Sequence, residues 1–337
     1  MKLKTITTVV LSALSIFSAS VKAQTITQLN QPSSASIRGL SVLDNKVAWL
    51  SGSKANFAIT TDGGKNWAWH QVKGYEKLDF RDIEAFSAKE AIVMSSGTPA
   101  VILKTIDGGE TWQEKYRKDD QIYFLDAMSF AGNSHGFVMG DPINGKFLLL
   151  ETKDAGETWA AVADAPAALK DEAAFAASGT CMRADGMLTI VTGGSNSRML
   201  TSPLSGFKWT ATALPLTNGG PSRGAFSFAK GKSQTVIVGG NYAKDTIADS
   251  VAYLLPLKKA AFKKNFPMIG PAGYQSCVEY LSAETYLSTG TPGSNITTDG
   301  GKTWRKIDSK SYNVCRKAKN GTLVLLAGEG KTGILNP

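Results

Sequence analysis

One eight-residue phrase recurs four times in this 337-residue chain and limits the fold it can adopt: Thr60-Thr-Asp-Gly-Gly-Lys-Asn-Trp67, Thr105-Ile-Asp-Gly-Gly-Glu-Thr-Trp112, Thr152-Lys-Asp-Ala-Gly-Glu-Thr-Trp159 and Thr297-Thr-Asp-Gly-Gly-Lys-Thr-Trp304. Copies at such an interval mean stacked repeats of one supersecondary unit. The aspartates Asp62, Asp107, Asp154 and Asp299 suit a tight turn in which a carboxylate accepts backbone N–H groups. The glycines Gly64, Gly109, Gly156 and Gly301 supply the positive φ that such a turn needs. Trp67, Trp112, Trp159 and Trp304 then bring a large apolar area to pin each hairpin. The motif is a fold staple and names no activity. The aspartates lack the repeated acidic ligands of a calcium loop.

Between the staples runs a second repeat, an apolar strand ending in Gly, at Val47–Gly52, Ile92–Gly97, Gly136–Gly140, Thr189–Gly193, Thr235–Gly239, Thr285–Gly290 and Val324–Gly328. Seven such strands lie 38 to 53 residues apart. With an inner strand before each and two strands after it, this predicts an all-β seven-bladed propeller with four strands per blade. The last unit runs out at Pro337, so Thr25–Leu29 is expected to supply its fourth strand and close the ring, because an open edge invites aggregation. Two staples are degenerate: the fourth unit keeps Trp209 without the Asp, and the fifth dissolves into Leu255–Lys264. The Ala-rich Ala165–Ala173 predicts a short helix between the third and fourth blades.

Met1–Lys4 is basic, Ile6–Phe17 is apolar, and Val21-Lys22-Ala23 fits a cleavage site. Residues 1–23 therefore read as a signal peptide, 24–337 as one domain, and the mature chain as periplasmic or secreted. No stretch is long and apolar enough for a transmembrane helix. The formal charge is +9. Losing Lys2, Lys4 and Lys22 and no acid lowers it to +6, a weak pull toward anionic partners. Aromatic–basic interleaving is missing, which argues against nucleic acid. The chain is expected to be a monomer.

The phrase with Asp at its third position is the Asp-box, or BNR repeat, and seven such blades behind a signal peptide resemble the photosystem II stability/assembly factor-like propellers. The resemblance implies a non-enzymatic assembly factor that binds a protein partner, a membrane complex, through an Arg-bearing propeller face. Asp-boxes also decorate sialidases, so a glycoside hydrolase is the alternative. No dinucleotide fingerprint, CxxC pair or haem motif is present, and no cofactor is expected.

The starts of the inner strands and the loops after the second strands should open on one face, away from the Asp turns. They carry Arg38, Arg81, Asp82, Glu84, Asp126, Glu172, Arg223, Glu279 and Arg316, with Asp141, Lys146 and Arg198 in the facing loops. Arginine suits a site that grips carboxylate or phosphate with a planar fork. Two readings stay open: these charges pair with one another and hold blades in register, or they form a partner-binding face. A sialidase would need an Arg triad, drawn from Arg38, Arg81, Arg223 and Arg316, with Tyr274 or Tyr280 beside Glu279. Two histidines, His70 and His135, are too few for a His-based triad or metal site, and no metal is expected. Of three cysteines, Cys277 and Cys315 occupy the same register in successive repeats. They could pair in an oxidising compartment or stay as buried thiols.

Overall fold

The computed structural model describes residues 24–30, 33–257 and 269–336. The predicted signal peptide lies outside them, as do the pairs Lys258-Lys259 and Lys263-Lys264, expected from sequence to form a solvated outer-strand edge. The described residues form seven antiparallel sheets with no α-helix. Their first strands are Ile37–Val42, Asp79–Ala85, Leu125–Ala131, Met182–Asp185, Arg223–Lys230, Cys277–Ser282 and Val314–Lys317. These lie side by side around one axis, and the apolar cores fill the spaces between successive sheets. Six sheets have four strands in meander order. Blade five contributes three described strands, Arg223–Lys230, Gln234–Asn241 and Ala252–Pro256. In blade seven, Thr25–Asn30 pairs antiparallel with Lys331–Asn336 as the outermost strand. The ring closes as the sequence requires.

The Asp turns work as their residue types predict. In blade one, Thr60 Oγ1 donates to Asp62 Oδ1 at 2.8 Å, and the Gly64 and Asn66 N–H groups donate to Thr60 Oγ1 and Asp62 Oδ1 at 2.9 Å each. The glycine has a second task. A Cβ on Gly109 would sit 2.4 Å from the Phe57 ring of the preceding blade, and one on Gly156 would sit 2.3 Å from Ile92 Cδ1. Each turn is thus seated against its neighbouring blade. Thr60 is buried, so Thr60→Val strands the Gly64 N–H without an acceptor. The expected cost is about 2 kcal/mol in urea unfolding, and an unchanged midpoint would contradict this seating.

Seven side-chain-to-backbone bonds close the circle of inner strands. Ala85 N donates to Ser41 Oγ, Met128 N to Asp82 Oδ2, and Ala184 N to Ser129 Oγ. Arg183 Nε donates to Phe228 O, and Val278 N to Ser227 Oγ. Cys315 N donates to Cys277 Sγ, and Arg316 Nε to Leu40 O. The inner strands form no ladder with one another, although the short strand Gly193–Gly194 after blade four's second strand pairs with Gly224 of blade five; these bonds satisfy groups that would otherwise stay open.

Blade four departs from the expectation raised by its residues. Ala165–Ala173 is not a helix: it is an irregular segment ending in the short strand Glu172–Ala173. Glu172 does not begin the inner strand, which starts at Met182. The residues between, 174–181, are inserted into the propeller axis. Arg38 of blade one donates to Ala177 O at 3.4 Å, and Ser178 Oγ donates to Ser276 O of blade six at 2.8 Å. Thr180 Oγ1 donates to Ser227 Oγ of blade five at 2.6 Å, and Gly179 lies against the Asp82 carboxylate of blade two. A segment touching blades one, two, five and six has to cross the channel. It plugs it.

Candidate functional site

The plug divides the channel into two mouths, and the predicted site residues divide with it. At the mouth away from the Asp turns, the inner strands of blades one, two, three and five each carry a β-bulge near their start. The extra residues are Arg38, Arg81, Asp126 and Phe226. A bulge re-aims the side chain it inserts, which is how Arg38, Arg81 and Asp126 come to converge here. Arg223 is not their equivalent. It pairs with Asn241 three positions before the bulge and lines a separate depression of 330 Å³ with Asn218 and Asp249.

Arg38 is half-buried beside the plug, and its 3.4 Å bond to Ala177 O uses one donor. No carboxylate forms an ion pair with it among the described residues. Burial, and then the neighbouring Arg81 charge, lower its pKa, while Asp79 and Glu329 support the charge from farther off. Arg81 holds Asp79 at 2.7 Å and lies 6.0 Å from the Phe124 ring. Aromatic rings floor the other side: Phe175 of the plug stacks on Phe226 at 3.8 Å, with Tyr274 and Tyr242 edge-on to Phe226. The buried Asp126 has its pKa raised well above the usual carboxylate range, by burial first and then by Asp141. Burial raises Asp141 as well.

Glu84, Glu279 and Arg316 do not belong to this mouth. They line the opposite one, on the side of the Asp turns, around a cavity of 840 Å³. There three acids, Glu84, Asp185 and Glu279, face five cations, Arg183, Lys230, Arg316, Lys317 and Lys319. Arg183 and Arg316 both reach Glu279, at 2.8 and 3.9 Å, and Lys319 bonds Glu84. For these residues the blade-pairing reading holds. Arg198 is also consumed structurally. It grips the fully buried Glu172 carboxylate with two nitrogens, at 2.8 and 2.5 Å, and clamps the start of the plug segment. Lys146 is exposed and donates to Ala163 O. Asp82 is buried at the level of the plug, under Gly179. The sialidase arrangement does not assemble, because Arg38 and Arg316 open on opposite sides of the plug and Arg223 lines neither mouth.

Arg183, Phe175, Tyr242 and the plug join the residues expected from sequence. The plug left a signal: the 53-residue interval from Gly140 to Gly193 is the widest of the series. It contains Ala-Ala-Phe-Ala-Ala-Ser-Gly-Thr, residues 173–180, small enough side chains to thread an axis.

The comparisons agree with this architecture. The model of the family described as photosynthesis system II assembly factor YCF48 matches residues 19–121 and 68–184, and the BNR/Asp-box repeat model matches 296–306. The chain therefore resembles that family over its first blades and matches the Asp-box repeat again in blade six. No curated protein matches it in sequence. Among solved structures, YCF48 from Cyanidioschyzon merolae superposes with a TM-score of 0.66 at 16% identity, over 93% of this chain and 99% of that one. YCF48 bound to D1 peptide gives 0.63 at 17% identity, over 94% and 97%. U3-55K gives 0.63 at 10% identity, over 93% and 98%. At these identities the likeness is one of fold.

Proposed function

We propose that the protein is an exported, monomeric, non-enzymatic scaffold that seats an acidic segment of a protein partner at the Arg38–Arg81 mouth and so aids assembly or stability of an envelope complex. The observation that carries this reading is the uncompensated Arg38. A half-buried guanidinium with spare donors, set beside a second guanidinium, lowers the free energy of an incoming carboxylate more than that of any neutral group. The plug closes this mouth, so a bound segment meets the half-buried Phe175 over the buried Phe226 and Tyr274 instead of an open channel. Similarity to an assembly-factor family, one of whose structures is described with a bound peptide, supports a peptide ligand.

The test is co-purification of the mature chain, residues 24–337, from its native envelope, with partners identified by mass spectrometry. Arg38→Glu with Arg81→Glu is expected to reduce recovery of the partner at least ~10-fold. Lys317→Gln, at the opposite mouth, is expected to leave it unchanged. Equal recovery with both variants would sink the reading, and so would turnover of a sialoside by the unmodified protein.

A further inference from the structure

Of the seven bonds that close the circle of inner strands, six use oxygen acceptors; the one between blades six and seven uses sulfur, beside a 3.4 Å bond from the Lys317 N–H to Glu279. Cys277 Sγ accepts from the Cys315 N–H at 3.4 Å, where the equivalent junctions of blades two and five use Asp82 and Ser227. A serine would serve that bond as well. What serine could not supply is the second contact: the two sulfurs lie 3.7 Å apart, on neighbouring strands and 38 residues apart in sequence. Both side chains are fully buried. Cys181, the third thiol, has no sulfur partner and donates nothing to this junction.

We propose that Cys277 and Cys315 are a covalent cross-linking site that joins blades six and seven by thiol–disulfide exchange. The sulfurs need approach by only roughly 1.7 Å to reach the bonded length of about 2.05 Å. The two thiols are unequal. Burial pushes the Cys277 thiol up, but the Cys315 thiol, the Arg316 charge and the Cys315 N–H outweigh it and bring it down to about 6. Burial and then Cys277 push the Cys315 thiol well above its ordinary value. Those inequalities belong to the docked ring; with the blades undocked either thiol can attack first and the bond formed is the same, so the step is written from Cys277. Its sulfur bonds to one sulfur of an oxidant disulfide, and the other leaves as a thiolate. Cys315 then gives up its proton and attacks the Cys277 sulfur of the mixed disulfide, expelling the second oxidant thiolate. Two protein thiols are oxidised and one disulfide is reduced to two thiols. Because the folded ring covers both sulfurs, exchange runs while blades six and seven are still undocked. The closed ring then shields the bond.

The experiment uses the full mature chain, unfolded with reductant and refolded in glutathione mixtures of increasing oxidised fraction. Free thiols are then alkylated and the peptides mapped by mass spectrometry. The expected product is a Cys277–Cys315-linked peptide pair with Cys181 alkylated. The link should resist reductant until the protein is unfolded, and the linked form should melt about 5 °C above the reduced one. Cys181→Ser should give the same link. Three alkylated cysteines after refolding in fully oxidised glutathione would overturn the proposal, as would a link through Cys181.

Discussion

Replacing Gly179 with alanine is expected to destabilise the protein by ~3 kcal/mol or more, the largest single effect predicted here. Three costs meet at this position. Gly179 has φ +67°, where a Cβ costs about 1–2 kcal/mol. That Cβ would lie 2.2 Å from Asp82 Oδ2, an overlap that forces a shift in a packed interior, typically ~1–3 kcal/mol. Moving the Asp82 carboxylate breaks its 2.8 Å bond from Met128 N–H, which joins blades two and three. Gly74→Ala separates the terms, since Gly74 also has positive φ, +87°, with nothing within 4 Å of the added carbon. It should cost only ~1 kcal/mol. Urea unfolding of both variants decides the matter: equal costs would mean that the plug is loosely seated, against the contacts described above.

The second large effect is on pH. Stability should rise as pH falls from 7.5 to 5, the reverse of the usual acid behaviour. Burial lifts the Asp82 carboxyl from 3.8 to about 7, against the opposing pull of Arg316 and the Met128 and Ile83 N–H groups. Between those values the folded state holds a proton that the unfolded chain has lost. Folding is therefore favoured by low pH across this window, and the advantage disappears as pH passes 7. From Asp82 alone the change is on the order of 3 kcal/mol, and the raised Asp126 and Asp141 add in the same direction. Below about pH 4 the sign reverses. Asp62, Asp107 and Asp154 are held near 2 by the hydrogen bonds of their turns, and that stabilisation is lost as they protonate. Asp82→Asn keeps an acceptor for Met128 N–H while removing the titration. It should make the profile shallower between pH 5 and 7.5, leaving the slope that Asp126 and Asp141 contribute, and stabilise the protein at the upper end. A wild-type profile that is level or climbs with pH would refute the assignment.

Both predictions centre on a segment that the sequence reading took for a helix followed by an inner strand, and the reason is physical. A helix is suggested by alanine propensity, a weak local preference that tertiary context overrides. Here the override is the Glu172–Arg198 clamp and the bonds from Ala177, Ser178 and Thr180 to blades one, six and five, made between residues 26 to 139 positions apart. The candidate face shows the same limit. Arg81 and Glu84 stand three positions apart in one strand, about 3.3 Å per residue, which looks like one neighbourhood in sequence. The plug passes between them, so Arg81 faces the mouth away from the Asp turns and Glu84 the one beside them.

Residues alone determined the seven sheets, the Asp turns with their Thr, Gly and Trp partners, and closure by Thr25–Asn30. Turn chemistry acts within four residues, and strand patterning has a period of two, so both are written locally. Tertiary structure decided which charges are neutralised, because pairing depends on inner strands from different blades meeting around one axis. It also decided that a run of small residues would fill that axis. No local preference directs Gly179 onto Asp82; the space left by seven converging strands does.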